Sequence, residues 1–328
     1  MFLAKSAPEI ISAESCPSFQ QASPTLPRVQ PKENALRQVH VPARAEPAGI
    51  QAEAMKKSEL LKIFAELDFH PGKQLGQNFL VDANLLEFIV RTGAPTSGET
   101  VLEVGPGFGV LTRALLATGA KVTAIEFDHR ICAYLRDNIS DPNFKLVQGD
   151  ACKVDIEEAV GDADDFRCIA NLPYSVSSVF IARLLEMENP PLSMLFMLQK
   201  EMGLRLAAKP GIKNYGSLSV RSQSVYDVEL LRSVPPQVFF PRPDVGSALV
   251  AFKRKCIFPA VDIRIKLAWL SKIAFSKRRK MMFKTLAQAC DASRLEEVYA
   301  AFNLTKDLRP EAVSSDTFVD MARMLLDS

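Results

Sequence analysis

The chain has 328 residues, 48% of them hydrophobic, enough for one large core or two moderate ones. Its 40 Lys and Arg offset 38 Asp and Glu, leaving a net charge of +2, so a polyanion must be met by a local cluster because the average field does not attract it. No apolar run approaches the roughly 18 residues that span a bilayer. The six cysteines form no CxxC pair and the three histidines sit at no metal-ligand spacing, which points to free thiols in a reducing compartment, with no metal site and no membrane contact.

Residues 1–54 hold seven of the 21 prolines and no sustained periodicity, and read as a disordered extension. They lack the apolar stretch of a signal peptide, and Glu9, Glu14, Glu33, Glu46 and Glu53 argue against an organellar presequence. Met55 is a candidate alternative start. Residues 82–92 read as a helix, with Asp82 as its cap and Leu85, Leu86, Ile89 and Val90 on one face. Short apolar strands follow at 100–104, 121–127, 144–149, 166–171 and 193–199. Helical stretches at 110–118, 128–139 and 155–160 separate the first four, and another at 176–188 aligns Val176, Phe180, Leu184 and Met187. Strands alternating with helices predict an α/β domain on a parallel, doubly wound sheet. The runs 227–234 and 247–255 complete that sheet, and only helical patterns follow Cys256. The expected division is an extension at 1–54, a Rossmann-like domain at 55–255 and a small helical domain at 256–328.

VLEVGPGFGVLTRALL (101–116) reads as strand, glycine loop and helix. Gly105, Gly107 and Gly109 allow a tight turn and close approach of a ligand. The spacing is G-x-G-x-G, with Val110 where a dinucleotide site would carry its third glycine, so the ligand is expected to be nucleoside-like and without phosphates. Glu126 ends the second strand, where an acid can accept both ribose hydroxyls. Asp150 ends the third, where a carboxylate can accept from a base amine.

IANLPYSV (169–176) ends the fourth strand at Asn171, so the asparagine joins the same rim. The Asn171 side-chain oxygen and a main-chain carbonyl at Leu172 or Pro173 can accept the two protons of an amine beside bound S-adenosylmethionine. That pairing favours a pyramidal nitrogen over the planar one of adenine N6. Tyr174 can stack on the base, and Pro173 stiffens the turn. The plainer alternative is a strand-ending Asn-x-Pro turn with a packed tyrosine.

GPGFG, the two acidic strand ends and NLPY together resemble the S-adenosylmethionine-dependent rRNA adenine N6,N6-dimethyltransferases, in particular the small-subunit rRNA branch. KQLGQNFL (73–80), NYGSLSVRSQ (214–223), VPPQVFFPRPDVGSA (234–248) and AFSKRRKMMFKTL (274–286) match further motifs of that family, so the likeness runs from about Gly72 to the end. The resemblance implies a Rossmann-like class I methyltransferase sheet with a small C-terminal helical domain. It implies that Asn78 and Leu80 contact the cofactor from an N-terminal lid, and that Gly105 faces the methionine part, Glu126 the ribose and Asp150 the adenine. Asn171 would touch cofactor and amine, Tyr174 would stack on the target base, and Phe239 would cover its other face. It further implies dimethylation of two adjacent adenines near the 3′ end of small-subunit rRNA, on a pre-ribosomal particle, by a cytoplasmic monomer acting in ribosome biogenesis. One departure is Phe283-Lys284-Thr285, where the family's last motif continues with asparagine.

Lys277, Arg278, Arg279, Lys280 and Lys284 are candidate RNA contacts, with Lys277, Lys280 and Lys284 at helical spacing and Phe275, Met282 and Leu286 turned inward. Lys253, Arg254 and Lys255 are candidates to extend this patch. The remaining alternatives are the large-subunit, antibiotic-resistance branch, a non-catalytic rRNA-binding assembly factor, and a nicotinamide-dependent oxidoreductase on the same fold.

Overall fold

The computed structural model describes residues 54–72, 76–161, 163, 165–277 and 279–326. The extension up to residue 53, residues 73–75 of the KQLGQNFL motif, and Arg278 lie outside the described residues.

Helix α1 (Lys57–Glu66) buries Leu60 and Ile63 and is followed by the two-residue strand β1 (Phe79–Leu80). Helix α2 (Ala83–Gly93) begins as its sequence predicts: Asp82 caps it by accepting the Leu85 N–H at 2.7 Å, and Leu85, Leu86, Ile89 and Val90 are buried. The alternating region runs β2 (Thr100–Val104), α3 (Val110–Leu116), β3 (Lys121–Glu126), α4 (His129–Asn138), β4 (Phe144–Gln148), α5 (Ile156–Val160), β5 (Phe166–Asn171), α6 (Ser177–Glu186) and β6 (Ser193–Gln199). Two unanticipated helices follow, α7 (Lys200–Leu206) and α8 (Ser217–Val225). Then come β7 (Tyr226–Val234), the short β8 (Phe239–Phe240) and β9 (Ser247–Arg254). The rest is helical: α9 (Val261–Ala274), α10 (Met282–Leu286), α11 (Ala292–Ala301) and α12 (Ser315–Leu326).

The seven-stranded sheet has the order β4-β3-β2-β5-β6-β9-β7. Its first five strands are parallel, as expected, but β9 lies antiparallel to β6, and β7 antiparallel to β9. The link from β7 to β9 contains a 3-10 turn and β8 but no helix to carry the chain across the sheet, so the chain reverses instead. Alternate residues of the parallel strands feed two cores. Val101 and Ile169 join α1, α2 and α3 on one face, and Leu102 and Cys168 join α6 on the other. Burial on both faces is why these strands read as continuous apolar runs.

A third core joins α9 to α12, but it also takes in Ala208, Tyr215 and Val220 from before Cys256. Arg264 of α9 fastens this region to the sheet side. Its buried guanidinium donates to the carbonyls of Leu185 (2.8 Å) and Glu188 (3.1 Å) at the end of α6, where the helix leaves its last carbonyls unpaired.

Candidate active site

The four strand ends fall in the spatial order β4, β3, β2, β5 and carry Asp150, Glu126, Gly105 and Asn171 along one rim. A cavity of about 250 Å³ opens there and is lined by all four, together with Asn78, Leu80, Leu172, Pro173 and Tyr174. Sequence positions from Asn78 to Tyr174 thus meet at the carboxyl edge of a parallel sheet.

The glycine loop is shaped by its lack of side chains. Gly105 and Gly107 have φ of 68° and 55°. A Cβ on Gly105 would lie 3.1 Å from the Pro173 ring, and one on Gly107 would lie 2.9 Å from the Phe79 ring. Larger residues would both strain the backbone and fill the cradle.

Glu126 is 7% exposed, and burial pushes its carboxyl up to about 7, while the N–H groups of Asp128, Phe127 and Gly107 pull it partly back. The Phe127 and Asp128 N–H groups both bond Oε1 at 2.8 Å, so Oε2 is available as an acceptor. Asp150 is more open. Its Oδ1 accepts the Cys152 N–H at 2.9 Å, and Lys153 Nζ stands 3.6 Å from its Oδ2.

Asn171 Nδ2 donates to the main-chain oxygen of Asn78 at 3.0 Å, which turns the amide so that Oδ1 is the free acceptor. Of the two carbonyls open at the sequence level, that of Pro173 accepts the Val176 N–H at 3.2 Å. The Leu172 carbonyl is therefore the second acceptor open beside Asn171 Oδ1. The Leu172 side chain is buried, which fixes this stretch of backbone.

Phe239 is not brought to the cavity wall. It is 3% exposed and belongs to the core shared with α1 and α2. A two-stranded ribbon, not anticipated, places it there: β8 pairs antiparallel with β1, setting Phe239 opposite Leu80 and Phe240 opposite Phe79. The same ribbon holds Asn78 beside Asn171. In this structure Phe239 supports the lid segment from behind and shows no face to a base.

Two lining residues escaped the sequence reading. Glu103 is 1% exposed in β2, its carboxyl pushed up to about 8 by burial, and it accepts the Thr112 hydroxyl at 2.7 Å. An acid inside an apolar strand was the available signal. Gln77 joins the lid to the sheet, accepting the Gly72 N–H at 2.8 Å and donating to Asp128 at 3.4 Å.

The basic segment does not form the single helix its spacing suggested. A 3-10 turn ends at Lys277, and α10 restarts at Met282. The break is held by the Met282 N–H, which donates to the Leu308 carbonyl at 2.8 Å while the Met282 side chain is buried. Arg279 and Lys280 are therefore on an exposed loop between Lys277 and Lys284, also exposed. Phe275, Met282 and Leu286 do pack inward. Arg254 and Lys255 do not extend the patch. Arg254 bonds Asp165 and the Pro190 carbonyl, and Lys255 bonds the Gln223 carbonyl.

This strand order, with a nucleoside-sized cradle at the carboxyl edge, defines a class I S-adenosylmethionine-dependent methyltransferase. The fold is shared with a dimethyladenosine transferase from Plasmodium falciparum (TM-score 0.60, 22% identity, covering 74% of this chain and 95% of that one). It is also shared with the 23S rRNA methyltransferase ErmE (TM-score 0.58, 21% identity, 76% and 100%).

The family model "Ribosomal RNA adenine dimethylase" matches residues 69–327, and the chain belongs to that family. A ribosomal RNA small subunit methyltransferase A from Clostridium acetobutylicum is 34% identical over 268 residues, covering 80% of this chain and 97% of the relative. One from Listeria monocytogenes is 36% identical over 287 residues, covering 83% and 95%. The protein is an rRNA adenine dimethyltransferase whose methyl donor is S-adenosylmethionine, and among the described residues no helix is long and apolar enough to cross a membrane.

Proposed function

We propose that this protein dimethylates N6 of two adjacent adenines near the 3′ end of small-subunit rRNA, acting as a monomer on a cytoplasmic pre-ribosomal particle. Relatives sharing about a third of its residues, over nearly their whole length, carry the small-subunit name. A fold likeness to the large-subunit enzyme at 21% identity does not favour the other branch.

The cradle fits the cofactor. Glu126 Oε2 takes the ribose hydroxyls, Asp150 the adenine amine, and the bare backbone of Gly105 leaves room for the methionine part, with Asn78 and Leu80 closing the lid. Bound there, S-adenosylmethionine supplies an electrophilic methyl group on a sulfonium sulfur.

The chain's own work is to make adenine N6 a nucleophile. Asn171 Oδ1 and the Leu172 carbonyl accept its two hydrogens, favour a pyramidal nitrogen and so localise the lone pair that the planar amine shares with the ring. Pro173 keeps the Leu172 carbonyl aimed, and Tyr174 supplies a stacking face for a base flipped out of its helix. Among the residues expected at the site, Phe239 covers the opposite face only where the lid ribbon yields to the base. After each transfer the cationic nitrogen is acidic and needs no strong base. Lys277, Arg278, Arg279, Lys280 and Lys284 position the RNA by its phosphates. The region from 256 onward acts as the RNA-binding domain attached to the catalytic one.

The observation that carries this reading is the Asn171 amide locked to Asn78 at 3.0 Å, on the same rim as Glu126 and Asp150. The test is methylation of small-subunit and large-subunit particles from cells lacking the protein, supplied side by side with methyl-labelled S-adenosylmethionine and read by primer extension and by nucleoside mass spectrometry. N6,N6-dimethyladenosine at two adjacent 3′-end positions supports it. Label appearing only in large-subunit rRNA overturns it.

A further inference from the structure

The hydroxyl of Tyr174 lies 2.6 Å from Oγ of Ser247. Ser247 is fully buried and opens β9, where it pairs with Gln199 of β6 on one side and with Val234 of β7 on the other. It therefore sits on one of the most constrained pieces of backbone near the cavity. Tyr174, by contrast, sits on the loop after β5, and its side chain has two free torsions. Its main-chain carbonyl accepts the Ser177 hydroxyl at 3.2 Å, so the backbone end is already held. The bond to Ser247 holds the other end of the ring. Burial raises the Tyr174 phenol above its ordinary value, which keeps the hydroxyl neutral and in that bond.

We propose that Ser247 is a positioning residue for methyl transfer: its hydroxyl pins the Tyr174 ring in the plane that receives the flipped adenine. This rests on the reading of Tyr174 as the stacking platform. A ring held before the base arrives loses no rotamer freedom on stacking and sets the amine at one height against Asn171 Oδ1 and the Leu172 carbonyl. A free ring still stacks, but it spreads the amine over several positions, so the effect falls on turnover more than on RNA affinity. Gly105 approaches the same turn at the Pro173 ring, where a Cβ would lie 3.1 Å away, so the segment 171–174 is also closely packed there.

The test is a double-mutant cycle with Ser247→Ala and Tyr174→Phe, which break the same bond from either end, plus Tyr174→Ala as a reference. Single-turnover methylation, RNA affinity and cofactor affinity are measured for each. The expected result is an about tenfold lower rate in each of S247A and Y174F, the size of one net buried hydrogen bond, and the same tenfold in the double variant. RNA and cofactor affinities stay within twofold, which also shows that the variants are folded. Rate losses that multiply in the double variant overturn the proposal. If Y174A is severely impaired while S247A and Y174F match the parent, the platform reading stands and the pinning role falls. If Y174A matches the parent as well, both fall.

Discussion

The carbonyl of Asn78 accepts the side-chain amide of Asn171 across 93 residues of sequence. Asn78 immediately precedes β1, and β1 is held by β8, with Val81 N–H donating to the Val238 carbonyl at 2.9 Å just beyond the ribbon. The amide proposed to meet the substrate is thus oriented by the segment before β1, which is oriented in turn by the proline-rich loop at 234–248. Such support is what keeps a reacting group within a fraction of an ångström of its productive position.

Asn171→Ala removes an acceptor that acts on the reacting nitrogen, a loss on the order of 10²-fold or more in single-turnover methyl transfer. RNA affinity, measured by filter binding, stays within twofold. Asn171→Asp fails comparably, because a carboxylate cannot donate to the Asn78 carbonyl. Normal turnover in Asn171→Ala would show that the amide only ends the strand.

Phe239 offers a second discriminating substitution. Truncating a buried phenylalanine costs roughly 3–5 kcal/mol, so Phe239→Ala lowers the melting temperature sharply. Phe239→Leu restores most of the packing without restoring a ring. If Phe239 acts only by backing the β1–β8 ribbon, F239L regains both stability and methylation. If the ring covers the base, F239L regains stability alone.

Most of the fold, and the gathering of Gly105, Glu126, Asp150 and Asn171 on one rim, were legible in the sequence because they follow from local pattern. Period and length marked the parallel strands, Asp82 marked the start of α2, and glycines followed by acids at successive strand ends marked the cradle. What was missed depends on pairing between distant segments. The β1–β8 ribbon is two residues long on each side and has no periodicity to detect. It nevertheless decides that Phe239 is buried. The reversed direction of β9, antiparallel to both β6 and β7, follows from the helix-free link that precedes it, which strand propensity does not report. The basic stretch at 277–284 has helical spacing, but the Met282–Leu308 bond breaks it. Spacing is a local prior, and a tertiary hydrogen bond with a buried methionine outweighs it.

The two buried acids make the protein without its cofactor sensitive to pH. Glu126 titrates near 7 and Glu103 near 8 in the folded chain, both raised by burial, against an ordinary value near 4.5. The folded state therefore holds protons that the unfolded state has released. The contribution of the two acids to stability is fully present below the ordinary carboxylate range and is lost as pH rises from about 5 to about 8. For Glu126 the drop amounts to roughly 3 kcal/mol across that window. Melting curves at pH 5 and pH 8 check this, and Glu126→Gln should show a smaller fall than the parent. A change between pH 5 and pH 8 that is the same in the parent and in Glu126→Gln contradicts the assignment.

Under the proposed ribose contact, the same carboxyl makes cofactor binding depend on pH with the opposite sign. An ionised Glu126 accepts ribose hydroxyls better than a protonated one, so binding draws off a proton and S-adenosylmethionine affinity rises as pH passes through about 7. Calorimetry in two buffers of different ionisation enthalpy would register the released proton. Glu126→Gln should bind more weakly and lose the pH dependence, and an unchanged pH dependence in that variant would assign it elsewhere.

The exposed loop at 279–280 makes a prediction about salt. Arg279 and Lys280 stand on a surface stretch between Lys277 and Lys284, and Lys277 is held by Gln288 at 3.2 Å. Contacts to phosphate release counterions, so each one lost lowers the slope of log affinity against log salt by about 0.7 to 1. Arg279→Ala and Lys280→Ala should each weaken binding of small-subunit rRNA and flatten that slope by one such step, leaving cofactor affinity and the melting temperature unchanged. The loop geometry adds a further expectation. These residues lie outside a helix, so restoring helix propensity nearby does not help, whereas Lys280→Arg, which keeps the charge, retains both affinity and slope. A slope identical to the parent in both alanine variants places the phosphate contacts on another surface.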